Sequence, residues 1–167
     1  MEAIKLFLIT ATATLAVAAP AAAQVHVMRH ADTPAGERDP ELTVTGAARA
    51  AALTGWFKGK RLRAIYVTDY KRARATAAPL AAARALQPIV YDPADTPALV
   101  ARAAAERGPV LIVGHSNTVP EIVAQLGGTR PPAIPHAQFG DIWTVHKGRT
   151  THVRVDPEAQ RTEARSH

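Results

Sequence analysis

The chain contains no cysteine. That excludes a disulfide framework, a thiolate zinc site and a cysteine nucleophile. Aromatic residues are scarce, with two Trp, three Tyr and three Phe among 167 residues. The densest basic run, Lys58-Gly59-Lys60-Arg61-Leu62-Arg63, has few interleaved aromatics on which bases could stack, so nucleic acid is not an expected partner. No segment repeats, and nothing in the composition marks a second domain. The apolar segment from Leu6 to Ala19 falls short of the ~20 residues that a membrane-spanning helix needs.

That segment fits another role. Lys5 precedes it, Pro20 breaks it, and Ala21-Ala22-Ala23 supplies small residues before Gln24. This is the order of a secretory signal peptide, with an n-region, an h-region and a small-residue cleavage site. The expectation is a signal peptide over residues 1–23 and cleavage near Ala23. A folded domain would then occupy 24–156, followed by a polar, frayed tail over 157–167. The protein would be periplasmic or secreted, with no stable membrane insertion after cleavage. A retained N-terminal anchor is the alternative. The formal net charge of +6 favours anionic partners or reflects a solvated basic surface.

Two segments carry the chemistry. Val25-His26-Val27-Met28-Arg29-His30 is a short apolar strand ending in arginine and histidine. Val110-Leu111-Ile112-Val113-Gly114-His115 is another, followed by the turn residues Ser116 and Asn117. In open α/β sheets, ligands gather beyond the carboxyl ends of the strands. Two strand-end histidines and a strand-end arginine point to a pocket for a small anion such as phosphate.

Strands and helices alternate between and after these segments. Leu42-Thr43-Val44-Thr45-Gly46 is expected to lead into an alanine-rich helix running to about Lys58, capped by Thr43 or Thr45. Ala64–Thr68 reads as a strand. Asp69–Leu86 reads as a helix that Pro79 should kink or break. Ile89–Tyr91 is a short strand, and Thr96–Arg107 a helix with Pro97 in its first turn. A helix from Val119 to Leu126 follows the Gly114-His115 strand. Asp141–His146 and Thr151–Val155 alternate like half-exposed strands, with a turn at Lys147–Thr150. The expected fold is α/β: a three-layer α/β/α sandwich with a mostly parallel sheet and an antiparallel C-terminal edge hairpin.

Placed on that fold, Arg29, His30 and His115 share one sheet edge. Basic residues opening the second helix, Asp69-Tyr70-Lys71-Arg72-Ala73-Arg74, reach the same edge, helped by the helix N-terminus. Arginine grips phosphate oxygens in pairs and stays charged. A neutral imidazole among such cations can attack phosphorus, because the cations neutralise the oxygens that would repel it.

Four ordered segments resemble the histidine phosphatase superfamily, also called phosphoglycerate mutase-like, in its short single-domain branch. Met28-Arg29-His30-Ala31-Asp32-Thr33 is similar to the Arg-His-Gly motif, with Ala31 where glycine is usual. Leu42-Thr43-Val44-Thr45-Gly46 resembles the Leu-Thr-x-x-Gly helix entry. Thr68 to Ala77 resembles Ser-x-x-x-Arg-Ala-x-x-Thr-Ala, and Val113-Gly114-His115 resembles the Gly-His segment. The resemblance implies a phosphatase acting on a small phosphorylated substrate, with no cofactor and no metal. His30 would be the nucleophile that becomes a phosphohistidine. Arg29 and Arg72 would hold the phosphoryl oxygens and His115 would stabilise the transition state. Thr33 and Asn117 would add contacts. The alternatives are a phosphohistidine or phosphoprotein phosphatase, and a non-catalytic phosphate-binding module of the same fold. A mutase is not expected, because the longer substrate-enclosing insertions are missing.

The general acid is not evident. Many relatives carry it in an insertion after the third strand, absent here. Glu121 and Asp95 are the candidates, and each also reads as helix capping: Thr118-Val119-Pro120-Glu121 has capping-box spacing, and Asp95 precedes Pro97. His26 reads as a core residue. His146 and His152 would face each other across the hairpin without making a zinc site. His136 is expected away from the pocket, and Lys71 and Arg74 in solvent. Specificity would come from the loop after Asp32, the segment 92–97 and the loop 130–140.

Overall fold

The computed structural model describes residues 23–157. The expected signal segment and tail lie outside the described residues, except for Ala23 and Pro157. Six strands and four helices follow one another as β1 (Val25–Arg29), α1 (Val44–Trp56), β2 (Ala64–Val67), α2 (Lys71–Arg84), β3 (Ile89–Val90), α3 (Thr96–Ala105), β4 (Val110–Gly114), α4 (Val119–Gln125), β5 (Asp141–His146) and β6 (Arg149–Arg154). The sheet order is β3-β2-β4-β1-β5-β6. The first four strands in that order are parallel, and β5 and β6 add antiparallel partners.

Strand alternation builds two cores. Val25, Val27, Tyr66, Val110 and Ile112 face one side, where Leu99 of α3 and Ile122 and Val123 of α4 cover them. Met28, Ile65, Val67, Leu111 and Val113 face the other, under Leu53 of α1 and Ala73, Ala77 and Leu80 of α2. Both faces are thus covered, as central parallel strands require. His26 belongs to the second face. It is buried, bonds Thr144 Oγ1 through Nδ1 at 2.8 Å, and meets the Trp56 and Phe57 rings edge-on.

Three local expectations are corrected. Pro79 does not break α2, which runs unbroken from Lys71 to Arg84. Ala73, Thr76 and Ala77 before the proline and Leu80 and Ala81 after it are all buried, so packing holds both halves in one helix. The hairpin turn is tighter than four residues: Lys147 and Gly148 both take positive φ (49° and 73°), the conformation that joins two strands in register. His146 and His152 do not face each other, because the register sets His152 opposite Trp143 and His146 opposite Arg149. His152 instead stacks on Trp143 and bonds Asp141 Oδ1 at 2.8 Å.

The entry to α1 is built around Asp32. Thr43 is the N-cap, its hydroxyl accepting from Gly46 N–H at 3.0 Å. The Thr43 N–H donates to the Asp32 carbonyl at 2.9 Å. Arg49 grips the Asp32 carboxylate through Nε at 2.7 Å and Nη2 at 3.3 Å. A Cβ at Gly46 would lie 2.2 Å from the Asp32 carbonyl oxygen, so only glycine admits this close approach. Gly46→Ala is expected to destabilise the fold by at least ~1–3 kcal/mol, the range for overpacking. A urea midpoint equal to that of the wild type would refute the role given to this contact.

Candidate active site

The β1–β4 register assembles the pocket. Arg29 pairs with Gly114, so the next residues, His30 and His115, emerge side by side. The His30 N–H donates to the Gly114 carbonyl at 2.9 Å and extends the ladder by one bond. The two imidazole centroids are 5.4 Å apart. The turn after His30 is pinned by the Ala31 N–H, which donates to Thr76 Oγ1 at 2.8 Å, while that hydroxyl donates to the Arg72 carbonyl at 2.7 Å. Ala31 is fully buried, and among the described non-glycine residues only Ala85 and Lys147 have positive φ. Alanine therefore serves where glycine is usual.

His30 is oriented by its own neighbour. Its Nδ1 lies 2.8 Å from the Ala31 carbonyl oxygen, which can only accept, so Nδ1 carries the proton and donates. Nε2 is then the lone-pair nitrogen. Burial is the main cause that lowers the His30 pKa to about 3, with smaller contributions from His115, Arg29 and Arg72. His115 is lowered to about 4, again mainly by burial and then by Arg72 and Arg29. Its Nε2 lies 2.9 Å from Thr68 Oγ1, and its backbone N–H donates to Thr118 Oγ1 at 3.0 Å.

Both arginines are fixed before any anion arrives. Nη1 of Arg29 donates to three carbonyls, of Pro135 (3.0 Å), His136 (3.0 Å) and Gln138 (2.9 Å). Its guanidinium lies over the Phe139 ring at 4.0 Å, and its buried Nε has no hydrogen-bond partner. Arg72 lies over the Tyr70 ring at 4.3 Å. Its Nη1 donates to the Arg38 carbonyl and to Asp39 Oδ1, both at 3.2 Å. Each ring also abuts a histidine: Phe139 lies 6.0 Å from His30, and Tyr70 lies 5.1 Å from His115.

These groups line one cavity of about 790 Å³. Arg29, His30, Thr33, Arg72, His115 and Asn117 all face it, so the structure brings together every phosphoryl-binding residue expected from the sequence. Its outer wall comes from the three expected loops: 33–38 and Pro40, Pro93 and Ala94, and His136 with Phe139.

Five expectations fail here. Glu121 does not line the cavity: it is solvent-facing, bonded to Arg130 at 2.6 Å and to Gln125 at 3.0 Å. No capping box forms, because the Thr118 hydroxyl turns back to His115. Asp95 also stands outside, capping α3 through the Ala98 N–H at 3.1 Å. His136, expected elsewhere, lies on the cavity wall because Arg29 ties its carbonyl to the site. The N-terminus of α2 does not stand open to an anion, since Asp39 accepts from the Lys71 N–H at 3.1 Å. As expected, Lys71 and Arg74 are exposed, paired with Glu41 and Asp69. Sequence reasoning missed Thr68, Tyr70, Asp39 and Phe139. Thr68 and Tyr70 sit inside the motif segment that contains Arg72, but their contacts arise only on folding.

A covered parallel sheet with two arginines and two neutral imidazoles at its carboxyl edge is an α/β pocket suited to a tetrahedral oxyanion. The sequence model of the histidine phosphatase superfamily (branch 1) matches residues 25–94. No curated protein sequence matches the chain. Among solved structures, the protein histidine phosphatase SixA complexed with tungstate has 23% identity and a TM-score of 0.59, covering 82% of this chain and 99% of its own. A mycobacterial glucosyl-3-phosphoglycerate phosphatase complexed with VO3 has 17% identity and a TM-score of 0.63, covering 81% and 99%. The same mycobacterial phosphatase complexed with inorganic phosphate has 18% identity and a TM-score of 0.58, covering 81% and 97%. The superfamily signature thus lies within residues 25–94, and the similarity of fold to these phosphatase structures extends over about four fifths of the chain.

The depressed histidines set a pH dependence. Folded His26 and His115 titrate at about 4 and His30 at about 3, against 6.5 for the free side chain. The unfolded chain therefore binds more protons between those limits. The stability contributed by the neutral rings is complete above about pH 6.5 and is lost as pH falls through the folded values. The His30 and His115 ring resonances should stay at neutral-imidazole positions from pH 8 to 5, while the urea midpoint falls between pH 7 and 4. Titration of His30 near pH 6.5 would contradict the buried, neutral ring.

Proposed function

We propose that the protein is an exported phosphatase that hydrolyses a phosphomonoester through a phosphohistidine on His30, without a metal ion. One observation carries this reading. The His30 ring is neutral, its Nδ1 proton is held by the Ala31 carbonyl, and its Nε2 is left free in a cavity shared with Arg29, Arg72 and His115.

The chemistry follows from that arrangement. Arg29 and Arg72 bind the phosphoryl oxygens and withdraw the negative charge that would repel an incoming lone pair. Nε2 attacks phosphorus, the P–N bond forms and the P–O bond to the alcohol breaks. His115 faces the same oxygens, and Thr68 holds its ring in place. Phosphorylated His30 remains cationic on the ring while Nδ1 keeps its proton, and the Ala31 carbonyl stabilises that charge. Water then attacks phosphorus, the P–N bond breaks and phosphate leaves. The full positive charges of the arginines supply what a metal would otherwise supply.

Export follows from the N-terminal segment. Cleavage near Ala23 would leave Gln24, and β1 starts one residue later. N-terminal sequencing of the protein recovered from the periplasm or medium should read Gln24-Val25-His26. Recovery of the uncleaved chain in membranes would mean an anchor instead.

The direct test is hydrolysis of p-nitrophenyl phosphate by residues 24–167, with and without EDTA. Activity should survive EDTA and fall by at least ~10³-fold in His30→Ala, with circular dichroism unchanged. Loss of activity in EDTA would overturn the metal-free reading, and full activity in His30→Ala would overturn the covalent one. Resemblance to SixA, matched over 99% of its length, favours one second reading, a phosphohistidine phosphatase. A phosphohistidine peptide in the same assay separates the two by relative kcat/KM.

A further inference from the structure

With Glu121 and Asp95 outside the cavity, the proton that an alcohol leaving group requires has no assigned source. Most carboxylates of the described residues are already engaged. Asp32 is held by Arg49, Asp39 by Arg72 and the Lys71 N–H, Glu41 by Lys71 and Asp69 by Arg74. Asp92 accepts from the Ala94 N–H, Glu106 binds Tyr66 and Arg63, and Asp141 binds His152, Arg154 and Gln138. Glu37 differs in two ways. Its carboxylate has no hydrogen-bond or ion-pair partner among the described residues. It is also the one carboxylate among the described residues that lines the cavity.

The loop carrying Glu37 is tied to the phosphoryl-binding machinery. The Arg38 carbonyl and the Asp39 carboxylate both accept from Arg72 Nη1 at 3.2 Å. Asp39 also accepts from the Lys71 N–H at the start of α2. Glu37 therefore stands one residue from the peptide carbonyl that Arg72 grips. It follows Gly36, whose φ of +84° turns the chain at that point and whose missing Cβ would meet nothing within 4 Å. The arginine that would hold the phosphoryl group thus also fixes the position of this segment on the cavity wall. Pro93 and Ala94 line the cavity from the segment after β3, and neither can give or take a proton.

We propose that Glu37 is the general acid and base of this site, an assignment that rests on the phosphatase reading above. In the first half-reaction its carboxyl proton passes to the leaving oxygen as the P–O bond breaks and the His30 Nε2–P bond forms. An alcohol leaves rather than an alkoxide. In the second, the Glu37 carboxylate takes a proton from the attacking water as the new P–O bond forms and the P–N bond breaks. Phosphate departs, and Glu37 and His30 return to their starting forms.

Leaving-group dependence tests this. Protonation matters most for an alkoxide and least for nitrophenolate, which departs readily as an anion. kcat/KM reports the first transfer, so it is measured for benzyl phosphate and p-nitrophenyl phosphate in wild type, Glu37→Gln and Glu37→Asp. Glu37→Gln should lose ~10²-fold or more on benzyl phosphate, within the usual span of general-acid contributions, and less than about a tenth of that factor on p-nitrophenyl phosphate. Glu37→Asp, which keeps the acid on a shorter stem, should fall between wild type and Glu37→Gln on benzyl phosphate. The inhibition constant for vanadate should stay within a few-fold in both variants, because the arginines and His30 are intact. Equal losses on the two esters, or no loss on benzyl phosphate, would overturn the assignment and leave the phosphatase reading standing. A wild type that turns over neither ester would overturn both.

Discussion

The parallel pairing of β1 with β4 is the constraint on which the rest of the site depends. It buries both strands completely and fixes Arg29 opposite Gly114. The next residue on each strand is a histidine. A one-residue slip would turn every side chain of a strand to the opposite face, exchanging the two cores. The same register that sorts Val27 and Ile112 from Met28 and Val113 therefore also brings His30 and His115 together. Position in the core and position in the site are one geometric fact.

Around that pair, the protein spends its polar groups on keeping cations still. A free arginine side chain has many rotamers, and ordering it on ligand binding would cost about 1.5–2 kcal/mol. Here three carbonyls and the Phe139 ring hold Arg29, and Tyr70, Asp39 and the Arg38 carbonyl hold Arg72. Much of that cost is met during folding. The two positive charges also help keep His30 and His115 neutral, although burial does most of this. The groups that would bind an oxyanion thus also help keep the attacking lone pair available, and Ala31 decides which nitrogen presents it.

The layered fold was legible because it rests on local signals: apolar strand runs, turn residues between them and alanine-rich helical stretches. The meeting of Arg29, His30, Arg72 and His115 at one cavity was legible for a related reason, since each sits at the end of a strand or the start of a helix and sheet topology brings them together. What escaped was decided by contacts distant in sequence. Pro79 looked like a break, but buried residues on both sides of it pack α2 as one helix. Glu121 and Asp95 looked like acids because the sequence shows residue type but not direction. Arg130 draws Glu121 into solvent, and α3 uses Asp95 as a cap. His136 looked remote because nothing local shows that Arg29, more than a hundred residues earlier, would take hold of its carbonyl.

Those long-range ties make the cavity wall and the anion seat one mechanical unit. Arg29 binds the loop that carries His136 and Phe139, and Arg72 binds the loop that carries Glu37 and Arg38. A change in either arginine would therefore alter both charge and wall. The side after β3 lacks such a tie: β3 is two residues long, and the short turn behind it offers only Pro93 and Ala94 to the cavity. On the proposed phosphatase reading, a fold with no insertion there takes its proton-transfer groups from another segment. The β1–α1 loop is suited to supply them, because Thr43, Gly46 and Arg49 anchor its root at Asp32 and Arg72 anchors its far end. Between those anchors residues 34–38 are exposed, so a substitution there can change what the cavity wall offers without disturbing the register that builds the site.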